Sequence, residues 1–135
     1  MDDFSRATWI FVIKSRQQIF AKFSAFCSFV KTQFDTIVKT LRSDNAKEYF
    51  TNEFMQYTTD NGIIHESSCA YTPQQNGVAE RKNRHILEVA RTMMIHGHVP
   101  HCFWADAVLT ACYLINRMPS SVLDGAGGNV SSVEK

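Results

Sequence analysis

Residues 7–13 (Ala-Thr-Trp-Ile-Phe-Val-Ile) form a run of β-branched and aromatic side chains, too short for a helix of ordinary length. Apolar residues at helical spacing follow at once: Ile19, Phe20, Phe23, Phe26, Cys27, Val30 and Phe34. Residues 36–41 (Thr-Ile-Val-Lys-Thr-Leu) return to the β-rich type. This succession predicts a strand, an amphipathic helix with Ser15 as its cap, and a second strand, an opening that commits the chain to an α/β arrangement. The second strand ends in the polar run Arg42-Ser43-Asp44-Asn45, which sets Asp44 at a strand's C-terminal end.

Residues 52–59 read as a short helix stopped by Asp60-Asn61-Gly62, and Ile63-Ile64-His65 as a short third strand. A polar loop over residues 67–75 leads to Asn76, a suitable cap for a long helix whose apolar positions include Val78, Ile86, Val89, Ala90, Met93 and Met94. Gly97 and Pro100 punctuate it. Trp104, Val108, Ala111 and Ile115 mark a last helix, closed before Pro119. Residues 124–135 hold three of the six glycines and almost no bulky apolar side chain, so they read as a disordered tail. One domain over residues 1–123 accounts for the rest, with helices packed on a small sheet.

Composition excludes several classes. With 44% hydrophobic and 20% charged residues, the 135-residue chain can bury a core. Its formal charge of +1 selects no partner, so any nucleic-acid signal has to be local. The longest purely apolar stretch is residues 9–13, far short of the roughly 20 that span a bilayer, so no membrane partner is expected. The opening Met1-Asp2-Asp3-Phe4-Ser5-Arg6 has no apolar signal region. An intracellular, reducing setting is expected, with Cys27, Cys69, Cys102 and Cys112 as thiols.

Asp44 and Glu80 are the residues with the most chemical promise. One stands at a strand end, where open α/β sheets place their ligand crevices, and the other in the first turns of a helix introduced by a polar loop. Two-metal phosphoryl-transfer sites need clustered carboxylates, because each divalent ion takes several oxygen ligands. The alternative is that Asp44 begins a turn and Glu80 is a solvated carboxylate facing the helix dipole. Around Glu80, Arg81, Lys82, Arg84 and Arg91 make the helix locally basic, which suits phosphate contacts; ordinary i, i+4 ion pairs of Arg84 with Glu80 and Glu88 fit the same spacing. His96, His98, His101 and Cys102 lie close together but lack the ordered ligand spacing of a zinc site.

Longer words then come into view. Asp2-Asp3-Phe4-Ser5-Arg6, Leu41-Arg42-Ser43-Asp44-Asn45, Gly62-Ile63-Ile64-His65 and Tyr71-Thr72-Pro73-Gln74-Gln75-Asn76-Gly77-Val78-Ala79-Glu80-Arg81-Lys82-Asn83-Arg84 occur in this order. Over residues 2–123 the chain resembles the integrase catalytic core of copia-type LTR-retrotransposon Pol polyproteins. The resemblance implies an RNase H-like fold and an Asp, Asp, Glu triad that binds two Mg2+ or Mn2+ ions. Its last two acids are separated by 35 residues, as Asp44 and Glu80 are here, and the resemblance assigns them those roles.

The first acid of that triad is implied on a strand that precedes Asp2. The expectation is therefore a partial RNase H-like fold lacking its first, central strand, with residues 7–13 and 36–41 left beside unpaired backbone. Asp3 is expected to make a turn contact with Arg6 instead of serving as a ligand. The resemblance also implies DNA contacts from Tyr71, Gln74 and Asn76 on a loop near the metals, with Arg81 and Arg84 nearby for phosphates. Element ends and target DNA would be the partners, an integrase oligomer the assembly, and a virus-like particle or the nucleus the location. Two functions remain: DNA strand transfer, as part of an integrase, or a catalytically dead remnant that binds nucleic acid, without a stably held metal ion.

Overall fold

The computed structural model describes residues 1–68 and 77–118. Among the described residues, six elements carry the fold beside short 3-10 turns: helix α1 (Ile19–Phe34), strand β1 (Thr40–Ser43), helices α2 (Asn52–Asp60), α3 (Gly77–His96) and α4 (Trp104–Arg117), with strand β2 (Ile64–Ser67) between α2 and α3. The chain divides into two compact units, one of Ile13–Val78 and one of Met1–Val12 with the residues from Ala79 onward. Among the described residues, no helix is long and apolar enough to cross a membrane.

In the unit Ile13–Val78, Ser15 caps as its sequence suggests: its side chain accepts from Gln17 N–H at 3.3 Å. It caps the single 3-10 turn Arg16–Gln18 that leads into α1. Phe20 and Phe23 on α1 meet Phe54 and Tyr57 on α2, with ring centroids 5.1–6.2 Å apart. Phe54 is wholly buried. Aromatic side chains thus join α1 to α2, with edge and stacked contacts that add to their area burial.

Helix α2 starts on Thr51, whose hydroxyl accepts from Phe54 N–H at 3.3 Å. It ends in a Schellman-type closure, Ile63 N–H to Thr58 O at 2.8 Å and Gly62 N–H to Thr59 O at 3.1 Å. That closure requires a left-handed residue, and Gly62 supplies it with φ 64°. The strands β1 and β2 then pair in parallel, Thr40 with Ile64 through Ser43 with Ser67.

The ladder differs from the expected strands at both ends. Pairing begins where Ile64 N–H donates to Lys39 O at 2.9 Å, so residues 36–39 lie outside it and Ile37 is exposed. Residues 7–13, expected as a strand, join no ladder among the described residues. Their β propensity is real but pairing needs a neighbouring edge. Thr8 instead gives both its backbone groups to the Asn116 side chain, as N–H to Oδ1 at 3.0 Å and as carbonyl from Nδ2 at 2.8 Å.

The second unit is built on α3 and α4. Ile86 and Ala90 from α3 pack with Val108, Ala111, Cys112 and Ile115 from α4, and Ile10 lies against the cluster. Ala90 and Ala111 are fully buried within this cluster. Trp104, the first residue of the apolar stripe that marks the last helix in the sequence, starts α4 with 40% of its surface exposed. The tail, residues 124–135, lies outside the described residues, as does the cap Asn76.

Candidate metal and nucleic-acid site

Asp44 follows β1 directly and its side chain is exposed. Two contacts brace it directly. Ala46 N–H donates to its Oδ1 at 3.1 Å, an Asx-type turn of the kind that Asp forms where a strand gives way to a loop. The Ser43 hydroxyl donates to its carbonyl oxygen at 2.8 Å. Next to it, Asn45 Nδ2 donates to Ser68 O at 2.9 Å and ties the loop to the end of β2. Ser68 N–H closes the same corner onto Ser43 O at 3.0 Å.

The surroundings of Asp44 are partly aromatic. Burial raises the Tyr49 phenol above its usual range, and the negative charges of Asp44 and Glu48 raise it further. Tyr49, Phe50 and Phe54 surround His65 at ring distances of 5.4–6.1 Å. His65 Nε2 lies 2.8 Å from Ser43 Oγ. One position on, Arg42 and Glu66 face each other across the ladder and pair at 3.3 Å. The Ser43–His65 contact has no local sequence signal, since it depends on register between strands more than 20 residues apart.

Glu80 stands in the first turn of α3, exposed, where the helix dipole favours its charge. It belongs to the other compact unit. Arg81 and Arg84 are exposed on the same helix, and Lys82 is half-buried. Lys82 lowers the Cys112 thiol, whose net shift is upward because burial outweighs it. Among the described residues, Glu80, Arg84 and Glu88 form no ion pair, so the i, i+4 bridges that their spacing allows are not made. Tyr71, Gln74 and Asn76 lie outside the described residues.

At the start of the chain, Asp3 pairs with Arg6 at 3.0 Å, the turn contact anticipated. Asp2 Oδ2 accepts from the N–H and hydroxyl of Ser5 at 2.8 and 2.5 Å. Both acids are thus engaged within one turn. His96, His98, His101 and Cys102 are exposed. Among the described residues, no group of three or more His, Cys, Asp or Glu side chains is gathered as a metal ion would require. Asp44 has the oxygen chemistry a hard divalent cation prefers, as one ligand of a larger set.

Comparison with known proteins identifies the class. No family model matches the chain. The HTLV-2 integrase catalytic core domain, solved in complex with magnesium in a trimeric form, superposes with a TM-score of 0.68, covering 94% of this chain and 77% of that one at 20% identity. The fold is therefore that of an integrase catalytic core, of the RNase H-like class.

The sequence relatives narrow this further. The chain is 47% identical over 120 residues to the retrovirus-related Pol polyprotein from transposon TNT 1-94 of Nicotiana tabacum, covering 89% of this chain and 9% of that protein. It is 40% and 37% identical over 123 residues to the corresponding Pol polyproteins from transposons RE2 and RE1 of Arabidopsis thaliana. The chain belongs to the retrovirus-related Pol polyproteins of transposons, in a segment that carries the integrase-core fold. It spans less than a tenth of the length of these relatives.

Proposed function

We propose that this chain is part of a copia-type integrase catalytic core that acts in DNA strand transfer, with Asp44 and Glu80 as the second and third acids of its metal site. The observation that carries the reading is Asp44 itself. It leaves a β strand in a chain with the integrase-core fold, its carboxylate held by Ala46 N–H, with 35 residues between it and a glutamate in the first turn of a helix. Residues 1–123 form the core segment in this reading.

Mg2+ or Mn2+, when bound, supplies Lewis-acid stabilisation of the charge that builds on a phosphodiester under attack. This chain's residues do the rest. Asp44 and Glu80 offer carboxylate oxygens to the ion, and the brace on Asp44 lowers the entropy of presenting it. Arg81 and Arg84 neutralise phosphates on the element end and target DNA, and Tyr71, Gln74 and Asn76 contact DNA from the preceding loop. A first acid, on the strand that the resemblance puts before Asp2, completes the triad. An oligomer is the working assembly, as the trimeric form of the HTLV-2 core supports.

A second reading is a chain that binds DNA without turning it over. It is favoured by the donor count, because among the described residues two carboxylates in the proposed roles stand without a gathered third. The two readings separate by experiment. Strand transfer with Mg2+ or Mn2+ by a chain extended to carry the first-acid strand, lost in Asp44→Asn and in Glu80→Gln with DNA binding retained, establishes the first. Salt-sensitive binding with no turnover establishes the second. If Arg81→Ala and Arg84→Ala leave the salt dependence of DNA affinity unchanged, where each should reduce the slope by about one, the phosphate assignment falls.

A further inference from the structure

We infer that His65 is a positioning residue for Asp44, acting through the Ser43 hydroxyl; the inference rests on the metal-ligand reading of Asp44 proposed above. The ladder sets up the contact. Leu41 pairs with His65 in parallel register, and side chains alternate along a strand, so Leu41, Ser43 and His65 share one face. On that face His65 Nε2 lies 2.8 Å from Ser43 Oγ.

The direction of the bonds follows from proton counting. A serine hydroxyl has one proton, and Ser43 uses it on the Asp44 carbonyl oxygen at 2.8 Å, which has none to give. Nε2 therefore carries the proton on the imidazole side and donates to Ser43 Oγ. The chain of bonds runs from His65 through Ser43 to the peptide plane that leaves Asp44. Ser43 is buried at 7% exposure, so its hydroxyl bonds are not readily exchanged for water.

What holds the imidazole is apolar. Phe50, Tyr49 and Phe54 lie around its ring at 5.4, 6.1 and 6.0 Å. Phe54 is fully buried and anchors the aromatic packing between α1 and α2. The ring is thus fixed by the unit's core while its one bonded nitrogen faces the strand end. This couples the core to the position of an exposed carboxylate, beside the ties that its own turn and the Asn45–Ser68 corner already make. A ligand held this way reaches its ion with less ordering left to do.

Four variants of the full chain test the inference: His65→Phe, which keeps an aromatic ring and loses the donor; His65→Gln, whose Nε2 keeps the donor and loses the ring; Ser43→Ala; and Asp44→Asn. Three quantities are read: amide exchange at Ala46, whose N–H is bound to Asp44 Oδ1, affinity for Mn2+ alone, and the thermal midpoint. Both His65→Phe and Ser43→Ala are expected to speed Ala46 exchange and to weaken Mn2+ binding about three- to tenfold, the range of one hydrogen bond. His65→Gln is expected to restore both, while its midpoint falls below that of His65→Phe because ring packing is lost. A packing role alone would reverse the order of the two variants in exchange and Mn2+ binding, with His65→Phe near wild type and His65→Gln impaired.

Wild-type exchange at Ala46 in His65→Phe, or a His65→Gln chain as impaired as His65→Phe, overturns the inference. A side-chain 15N spectrum showing His65 with its proton on Nδ1 and none on Nε2 overturns it as well. Asp44→Asn separates the two levels of argument. If it leaves Mn2+ affinity unchanged, the metal reading of Asp44 fails, and Ala46 exchange alone then decides whether His65 braces that residue.

Discussion

Asn116 on α4 holds Thr8 by both of its backbone groups, accepting the Thr8 N–H at 3.0 Å and donating to the Thr8 carbonyl at 2.8 Å. A side-chain amide offers a donor and an acceptor together, so it stands in for the neighbouring strand that residues 7–13 lack among the described residues. Cys112 adds a sulfur contact to the same carbonyl at 3.2 Å. Replacing Asn116 by Ala removes both amide bonds and leaves half-buried backbone groups to find water. Asn116→Ala is expected to lower stability by about 1–3 kcal/mol in urea unfolding, with faster amide exchange at Thr8. Unchanged exchange at Thr8 would show the pair to be dispensable.

Ile86 is 1% exposed and touches the α4 side of its core, where Ala111 has no exposed surface. Ile86→Ala should destabilise by about 2–5 kcal/mol through lost burial and the remaining cavity. Ala111→Leu should cost about 1–3 kcal/mol by the opposite route, forcing side chains off their rotamers where α3 and α4 approach. Chemical denaturation of both single variants checks the pair.

The end of α3 stores a small strain. Val99 N–H donates to Met94 O at 2.9 Å and His98 N–H to Ile95 O at 3.3 Å, a Schellman-type closure with His98 at φ 50°. Glycine is the usual residue there, yet Gly97 is one position early. A Cβ on Gly97 would lie 3.0 Å from Met93 O and 3.2 Å from Val99 Cγ2, so a larger residue there crowds a backbone carbonyl that cannot readily move. His98→Gly is expected to stabilise by about 1 kcal/mol, by relieving the left-handed penalty less the entropy gained by the unfolded chain. Gly97→Ala is expected to destabilise. Thermal midpoints moving the other way would contradict both.

Alkaline pH should weaken the protein. Burial raises the Cys27 thiol above its usual 9.0, against a hydrogen bond from Tyr57 that lowers it, and burial raises Cys112 and Tyr49 as well. Each group keeps its proton longer folded than unfolded, so its contribution is complete below the unfolded pKa. It is lost as pH rises through that value toward the folded one. The urea midpoint should be flat from pH 7 to about 8.5 and fall beyond pH 9, with a shallower fall in Cys27→Ala. Exposed Cys102 should also be alkylated faster than Cys27 or Cys112, as peptide mapping would show.

The helices were legible because each carries its own evidence. Apolar residues at 3.6 spacing, Asp60-Asn61-Gly62 as a stop, and Trp104 to Ile115 as a stripe all act within one or two turns, and α2 and α4 follow them closely. Asp44 was legible for the same reason, as a polar residue after a β-rich run, and the span to Glu80 is plain arithmetic on the sequence. Strand limits were not. Residues 36–39 and 7–13 have the composition of strands, but a strand exists only where another edge meets it, and β2 reaches β1 from Thr40 onward. The sequence by itself determined which segments are helical and which class of fold they enter, and it singled out the two acids proposed as metal ligands. Only the tertiary structure decided that Asn116 serves the backbone of Thr8 and that His65 reaches Ser43, because hydrogen bonds between distant residues depend on register and packing that no local pattern encodes.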